Sequence, residues 1–446
     1  MEATQKLVDF ILDVDYEDIT EEATEVAKQC FLDCIGVSLA GSVLPISEIL
    51  MSYVRVIGGR SRCSIIGSDV KTSPVNAALV NGTLGHALDY DDMIFPLIGH
   101  PTVPVLPAVL AVGEFIGASG KQAITAFSLG FEALCKIGAA VSPSHWYKGF
   151  HSTATVGTFG AVAAASKLLN LNEEQMLNAF GIAGSQAAGL KQNFGTMTKP
   201  FHAGHAAESG VKAALLAKNG FTAAKNILEG QFGFAKLMAD RYDFSVIDKL
   251  GNPWDLVDPA PFFKPYPSCG GTHAAMNAML SLIEEYDIRH DEVESLEAGM
   301  NPIAPEELIY IEPKTAFEGK FSMQFCLAIL LLEREAGLAQ FTNEKVRNPR
   351  TMELMKRIKL YVDPEITASV PPEWGDKSAV VKVKLKDGRY YTRKRDIRHL
   401  TWDELISKYK DCAKVVLPRD KITKSIEVVM NLQKLENIRQ LMELTY

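Results

Sequence analysis

Thr153–Asn170 reads TATVGTFGAVAAASKLLN, and Asn172–Leu190 follows as NEEQMLNAFGIAGSQAAGL. Apolar residues in both recur at three- and four-residue spacing, the period of a helix rather than a strand. Alanine and glycine dominate, and small side chains let helix axes approach closely, so the pattern predicts helices packed in an interior. The same spacing runs from the N-terminus to about Asp240. The segment after these two, KPFHAGHAAESGVKAALLAKNG, reads as a further helix with Pro200 in its first turn and Gly220 as its stop.

The character changes at Gly251–Gly271, GNPWDLVDPAPFFKPYPSCGG, a Pro/Gly-rich connector of the kind found at a domain edge. Beyond it VESLEAGMN from Val293 and RIKLYVDPE from Arg357 read as strands. AVVKVKLKDGRYYTRK alternates Val381, Val383 and Leu385 against Lys382, Lys384 and Lys386, then turns at Asp387-Gly388: a hairpin with one wet face. A helix, TAFEGKFSMQFCLAILLLERE, lies between those strands. The expected fold is mostly α with a smaller α+β domain. Residues 1–262 form the helical domain, 263–402 the α+β domain, and 403–446 a helical tail that returns onto the first.

Of 446 residues 47% are hydrophobic, enough for large cores. Against 54 acidic residues stand 46 basic ones, dispersed apart from Arg393–Arg395, so nucleic acid is not an expected partner. The seven cysteines form no CxxC pair, which points to a reducing cytoplasm. The acidic, amphipathic N-terminus lacks the features of a signal peptide. The most apolar stretch, Thr102–Gly120, is interrupted by Pro104, Pro107 and Glu114, and no membrane span is expected.

Four polar constellations stand out. HALDYDDMIFPLIGHP, His86–Pro101, holds three aspartates and two histidines among apolar flanks. On a helical turn Asp89 and Asp92 share a face, and a carboxylate beside His100 can hold an imidazole in the tautomer that takes a proton. A capped, solvated helix end and a metal site are the alternatives, although no HExxH or Cys-rich frame accompanies the aspartates. His151 stands just ahead of the Ala-rich helix. NFGTMTKPFHAGHAAESG sets Asn193 and Lys199 before a helix N-terminus, where free N–H groups, the dipole and an ammonium attract a carboxylate. His202 and His205 form HxxH with no third ligand in view, which reads as packing. FFKPYPSCGGTH brings Lys264, Cys269 and His273 to the domain edge, where clefts form. Two lysines from separate segments suit a substrate with more than one carboxylate.

Four segments in order, NGTLGHALDYDD…GHPTVPVLPAVLAVGE, GFHSTATVGTFGAVAAA, NFGTMTKPFHAGHAAESGVKAALLAKNGF and KPYPSCGGTH, resemble the MmgE/PrpD family over residues 81–273. That family includes 2-methylcitrate dehydratases, cis-aconitate decarboxylases and iminodisuccinate epimerases. The resemblance implies a helical domain and an α+β lid with the active site between them, a homodimer, and no metal or organic cofactor. The family's site positions fall on Asp89, His100, His151, Lys199 and Lys264. Some residues depart from the pattern. Cys269 stands where the decarboxylases have a histidine and Phe325 where they have a tyrosine, which argues against decarboxylation. Met93 replaces the threonine usual in the lyases, and the FP…GHP loop and PSC are closer to the epimerase branch.

The expected function is a cofactor-independent lyase, dehydratase-like, removing a proton next to a carboxylate of a small di- or tricarboxylate. His151 or His100 is the expected base and Asp89 its partner, with Lys199 and Lys264 on the carboxylates and Asp92, Asn193, Cys269 and His273 as further substrate contacts. The same residues serve an epimerase of an iminodisuccinate-like dicarboxylate. A metal-dependent enzyme built on the aspartates and a non-catalytic helical binding protein remain as alternatives. The connector near Pro259–Pro267 is where a lid would move.

Overall fold

The computed structural model describes residues 3–368 and 378–446. Its hydrophobic residues gather into two main cores, one of residues 3–263 and 405–442, the other mostly of residues 266–385. The centre of the first is helix Thr198–Lys218, packed on helices Pro74–His86, Gly157–Leu168, Thr102–Ile116 and Glu173–Gly184. Glycine makes the tightest of these crossings possible. A Cβ on Gly204 would lie 2.1 Å from the Leu79 carbonyl oxygen, and one on Gly82 would lie 2.8 Å from the Gly204 Cα. With the two axes that close, the first turn of one helix lies over the last turn of the other, and Lys199 comes down on His86.

Two of the expected helices are shorter than their periodicity suggests. Thr153–Asn170 divides into a single turn, Ser152–Thr155, and helix Gly157–Leu168, while Asn172–Leu190 is helical only over Glu173–Gly184. The backbone beyond Gly184 is committed elsewhere: Leu190 bridges to Phe150, and the Gly189 carbonyl accepts from the His151 N–H at 3.0 Å. These bonds fix the backbone at Phe150 and His151. Helix Gly120–Val141 is long and apolar enough to cross a membrane, but it is almost wholly buried against its neighbours in the helical core.

The second core lies under a four-stranded sheet in the order Ile358–Val362, Val293–Met300, Ser378–Leu385, Tyr390–Asp396. The first pair is parallel and the others antiparallel. Val381, Val383 and Leu385 are buried while Lys384 is exposed, and helices His273–Tyr286 and Met323–Glu333 complete the layer. The tail helices Trp402–Ala413 and Arg419–Met430 pack on helix Glu21–Gly41. Lys408 there pairs with Asp33 at 2.7 Å and donates to the Tyr90 carbonyl, also at 2.7 Å. The chain terminus thus supports the aspartate loop from below.

Candidate active site

Helix Pro74–His86 ends at the aspartates. Asp89 takes a left-handed backbone conformation, φ +51°, which breaks the helical period. Its carboxylate therefore turns toward the meeting point of the two cores. Lys199 Nζ donates to Asp89 Oδ2 at 2.8 Å, and Lys264 Nζ donates to Asp89 Oδ1 at 2.5 Å and to the Asp89 carbonyl at 2.9 Å. One buried carboxylate thus joins a lysine of the helical domain to a lysine of the connector. Burial opposes its charge, but the two ammoniums hold its carboxyl well below the usual range.

Lys199 Nζ also lies 3.1 Å from His86 Nε2. An ammonium only donates, so Nε2 accepts and the His86 proton sits on Nδ1, where it donates to Asp91 at 2.9 Å. Burial holds His86 neutral, with its pKa lowered to about 3. His100 Nδ1 lies 3.0 Å from the other Asp91 oxygen, out of hydrogen-bonding alignment, and its Nε2 lies 3.5 Å from Asp89. Burial lowers the His100 pKa too, and against burial the two histidines keep Asp91 strongly acidic.

Over this cluster opens a small cleft between the two cores. His100, His151 and Lys199 line it from the helical side, and Cys269, Glu307 and Phe321 from the other. The His151 Nδ1 lies 3.1 Å from His202 Nδ1, and burial, with Lys199 and His202 beside it, puts the His151 pKa well below its usual value. Cys269 Sγ donates to Glu307 Oε2 at 3.5 Å, and burial raises both pKa values. A second, apolar cavity adjoins, sharing Met93, Ile98, Gly270 and Glu307 with the first.

The structure thus gathers Asp89, His100, His151, Lys199, Lys264 and Cys269 around one site, with Lys264 fully buried beneath Asp89. Three other residues lie apart from it. Asp92 does not share a face with Asp89, because the turn at Asp89 is not helical; its carboxylate faces the interior, accepts from Thr102 Oγ1 at 2.6 Å, and is pushed up by burial to about 8. His273 turns its Nε2 to the Ser268 carbonyl at 3.2 Å, packed by Phe262 and Tyr266. Asn193 sits in a short turn whose carbonyl accepts from Thr196, outside the cleft lining. Phe325 packs on Phe341 in the second core, and the rings at the cleft are Trp146, Phe194 and Phe321. The sequence reading passed over His86 and Asp91 as site residues, and also Lys320, whose buried Nζ donates to the Ala87 carbonyl at 2.7 Å with its pKa lowered by burial to about 7. The five-residue interval from His86 to Asp91 is a signal for that pair; Glu307 and Phe321 carry none.

His86, Asp89, Asp91 and His100 bring ligand atoms within 4.8 Å of one another, a spacing that fits a metal ion. Two of the four are already engaged by lysines, however. Both Asp89 oxygens face ammoniums, and the His86 Nε2 lone pair faces Lys199. A cation here would meet two positive charges at contact distance.

Two family signatures match the sequence: the MmgE/PrpD N-terminal domain over residues 5–247 and the MmgE/PrpD C-terminal domain over residues 266–434. Among curated proteins the chain is 27% identical to a cis-aconitate decarboxylase of Homo sapiens, over 94% of this chain and 89% of that protein. It is also 27% identical to a cis-aconitate decarboxylase of Aspergillus terreus, over 96% and 92%. To a mitochondrial 2-methylcitrate dehydratase of Yarrowia lipolytica it is 24% identical, over 86% and 78%.

Proposed function

Since the chain belongs to the MmgE/PrpD family, we propose that it is a lyase acting on a small di- or tricarboxylate by removing a proton from the carbon next to a carboxylate. The observation that carries this reading is the cleft itself, where two neutral histidines and an ammonium face the same space. Such a C–H bond is weakly acidic, so base and positive charge must act together. His151 is the base, because one of its ring nitrogens is left over from the bond to His202. Both nitrogens of His100 lie against carboxylates, which suits it to orienting. Lys199 takes the substrate carboxylate, while Lys264 holds Asp89.

Loss of hydroxide from a 2-methylcitrate-like alcohol is the first reading. Decarboxylation is the second, favoured by the names of the more similar relatives. Against it stands Cys269 in the cleft, whose thiol burial keeps protonated. The proposed working form is a cytoplasmic homodimer needing no metal or organic cofactor.

The test is conversion of 2-methylcitrate, citrate, cis-aconitate and iminodisuccinate in deuterated water. Release of water supports the dehydratase reading and release of carbon dioxide the decarboxylase reading. Deuterium uptake with neither identifies an epimerase and overturns the lyase proposal.

A further inference from the structure

His151 and His202 meet Nδ1 to Nδ1 at 3.1 Å, both buried. With both rings neutral, a hydrogen bond between like nitrogens has two forms: one ring brings the N–H and the other the lone pair. If His202 donates, the His151 proton must sit on Nε2, and the histidine has no lone pair for the cleft. If His151 donates, its Nε2 is bare. We infer that His202 is a positioning residue that holds His151 in the second form, with Nδ1–H given to His202 and the Nε2 lone pair offered to the substrate. The inference rests on the lyase reading above.

The surroundings favour that form. Nδ1 is turned to His202, so Nε2 is the nitrogen left for the cleft, where the nearest cation is Lys199. A positive charge there favours a lone pair over an N–H. His86, stacked on His151 at 5.8 Å, and Phe194, edge-on at 5.0 Å, fix the ring plane. His100 and His202 complete the titratable groups around His151, and Lys199 and His205 are those around His202. The backbone is built for the contact: Gly189, φ +154°, passes so close that a Cβ on it would lie 2.4 Å from the Ala154 Cβ and 3.6 Å from His202 Nδ1. In the reaction the substrate C–H bond breaks, its electron pair stays as the enolate beside Lys199, and the proton bonds to His151 Nε2. The resulting imidazolium keeps its Nδ1–H bond to His202.

The experiment is ¹⁵N-histidine NMR of the full-length protein at pH 7, with the His151 signals identified by their loss in His151→Asn. Wild type and His202→Asn, whose side-chain oxygen can accept in place of Nδ1, should show His151 protonated at Nδ1 and bare at Nε2; His202→Leu should shift the proton to Nε2. An Nε2–H tautomer in wild type, or no shift in a folded His202→Leu protein, overturns the inference. On whichever carboxylate the wild type converts, His202→Leu should lower kcat about 100-fold with KM nearly unchanged, and His202→Asn should restore most of it. Full kcat in His202→Leu also overturns it. If wild type converts none of the carboxylates, the lyase reading fails, while the NMR result still decides the tautomer.

Discussion

Lys264 and Asp89 meet twice, the ammonium donating to the carboxylate at 2.5 Å and to the backbone carbonyl of the same residue at 2.9 Å. Both side chains are buried. Removing one partner of a buried pair costs about 3–5 kcal/mol when the other charge is left unanswered; Lys199 would still face Asp89 here, so the low end of that range applies. Lys264→Met should therefore lower the unfolding free energy by about 3 kcal/mol in urea titrations, in line with that cost. An unchanged midpoint would show that Lys199 alone satisfies Asp89.

Acid should destabilise the fold before its carboxylates titrate. Burial lowers the pKa of His86 and of His273 to about 3, while the unfolded chain takes up these protons near 6.5. A group whose folded pKa is depressed in this way loses stability as pH falls from 6.5 toward the folded value. The expected loss by pH 5 is about 2 kcal/mol for each histidine. Unfolding measured at pH 7, 6 and 5 checks this, and His273→Gln should give a shallower slope than wild type.

Asp92 should show the opposite sign. Burial raises its carboxyl from 3.8 to about 8, so its contribution is intact below the unfolded value and is lost as pH rises toward 8. Asp92→Asn removes that titration. Relative to wild type, the variant should become progressively more stable between pH 4 and pH 8. A difference independent of pH would mean that Asp92 is ionised in the folded protein.

Chelation should leave activity intact. Of the atoms that would bind a cation, both Asp89 oxygens and the His86 Nε2 face the Lys199 and Lys264 ammoniums. Activity after exhaustive dialysis against EDTA is the measurement, and a loss restored by one divalent ion would overturn the role given to the lysines.

The helical class was legible because small residues at helical spacing have few other uses, and the hairpin at Asp387-Gly388 because strand alternation and turn chemistry agree. Asp89, His100, His151 and Lys199 were legible as residues, each standing at an element end where a polar group can face a cleft. Their mutual geometry was not. The reading of Asp89 and Asp92 as one face assumed a helical turn, and the left-handed backbone at Asp89 sends the second carboxylate into the core. His273 follows a Pro/Gly-rich segment that suggests a cleft, yet a backbone carbonyl five residues earlier claims its ring. Glu307 and Phe321 reach the site only through the packing of the second core on the first, which no local pattern encodes.

Two contacts join the walls of the cleft. On one side Met93 and Phe262 exchange N–H···O bonds of 3.1 and 2.7 Å, joining the aspartate loop to the connector. On the other, the Tyr310 hydroxyl donates to the Phe194 carbonyl at 2.7 Å. The first is a pair of backbone bonds that ties the loop of Asp89 to the connector of Lys264. The second is a single bond from a half-buried ring. A ligand that entered by parting the Tyr310 bond would leave the Asp89 ion pairs in place.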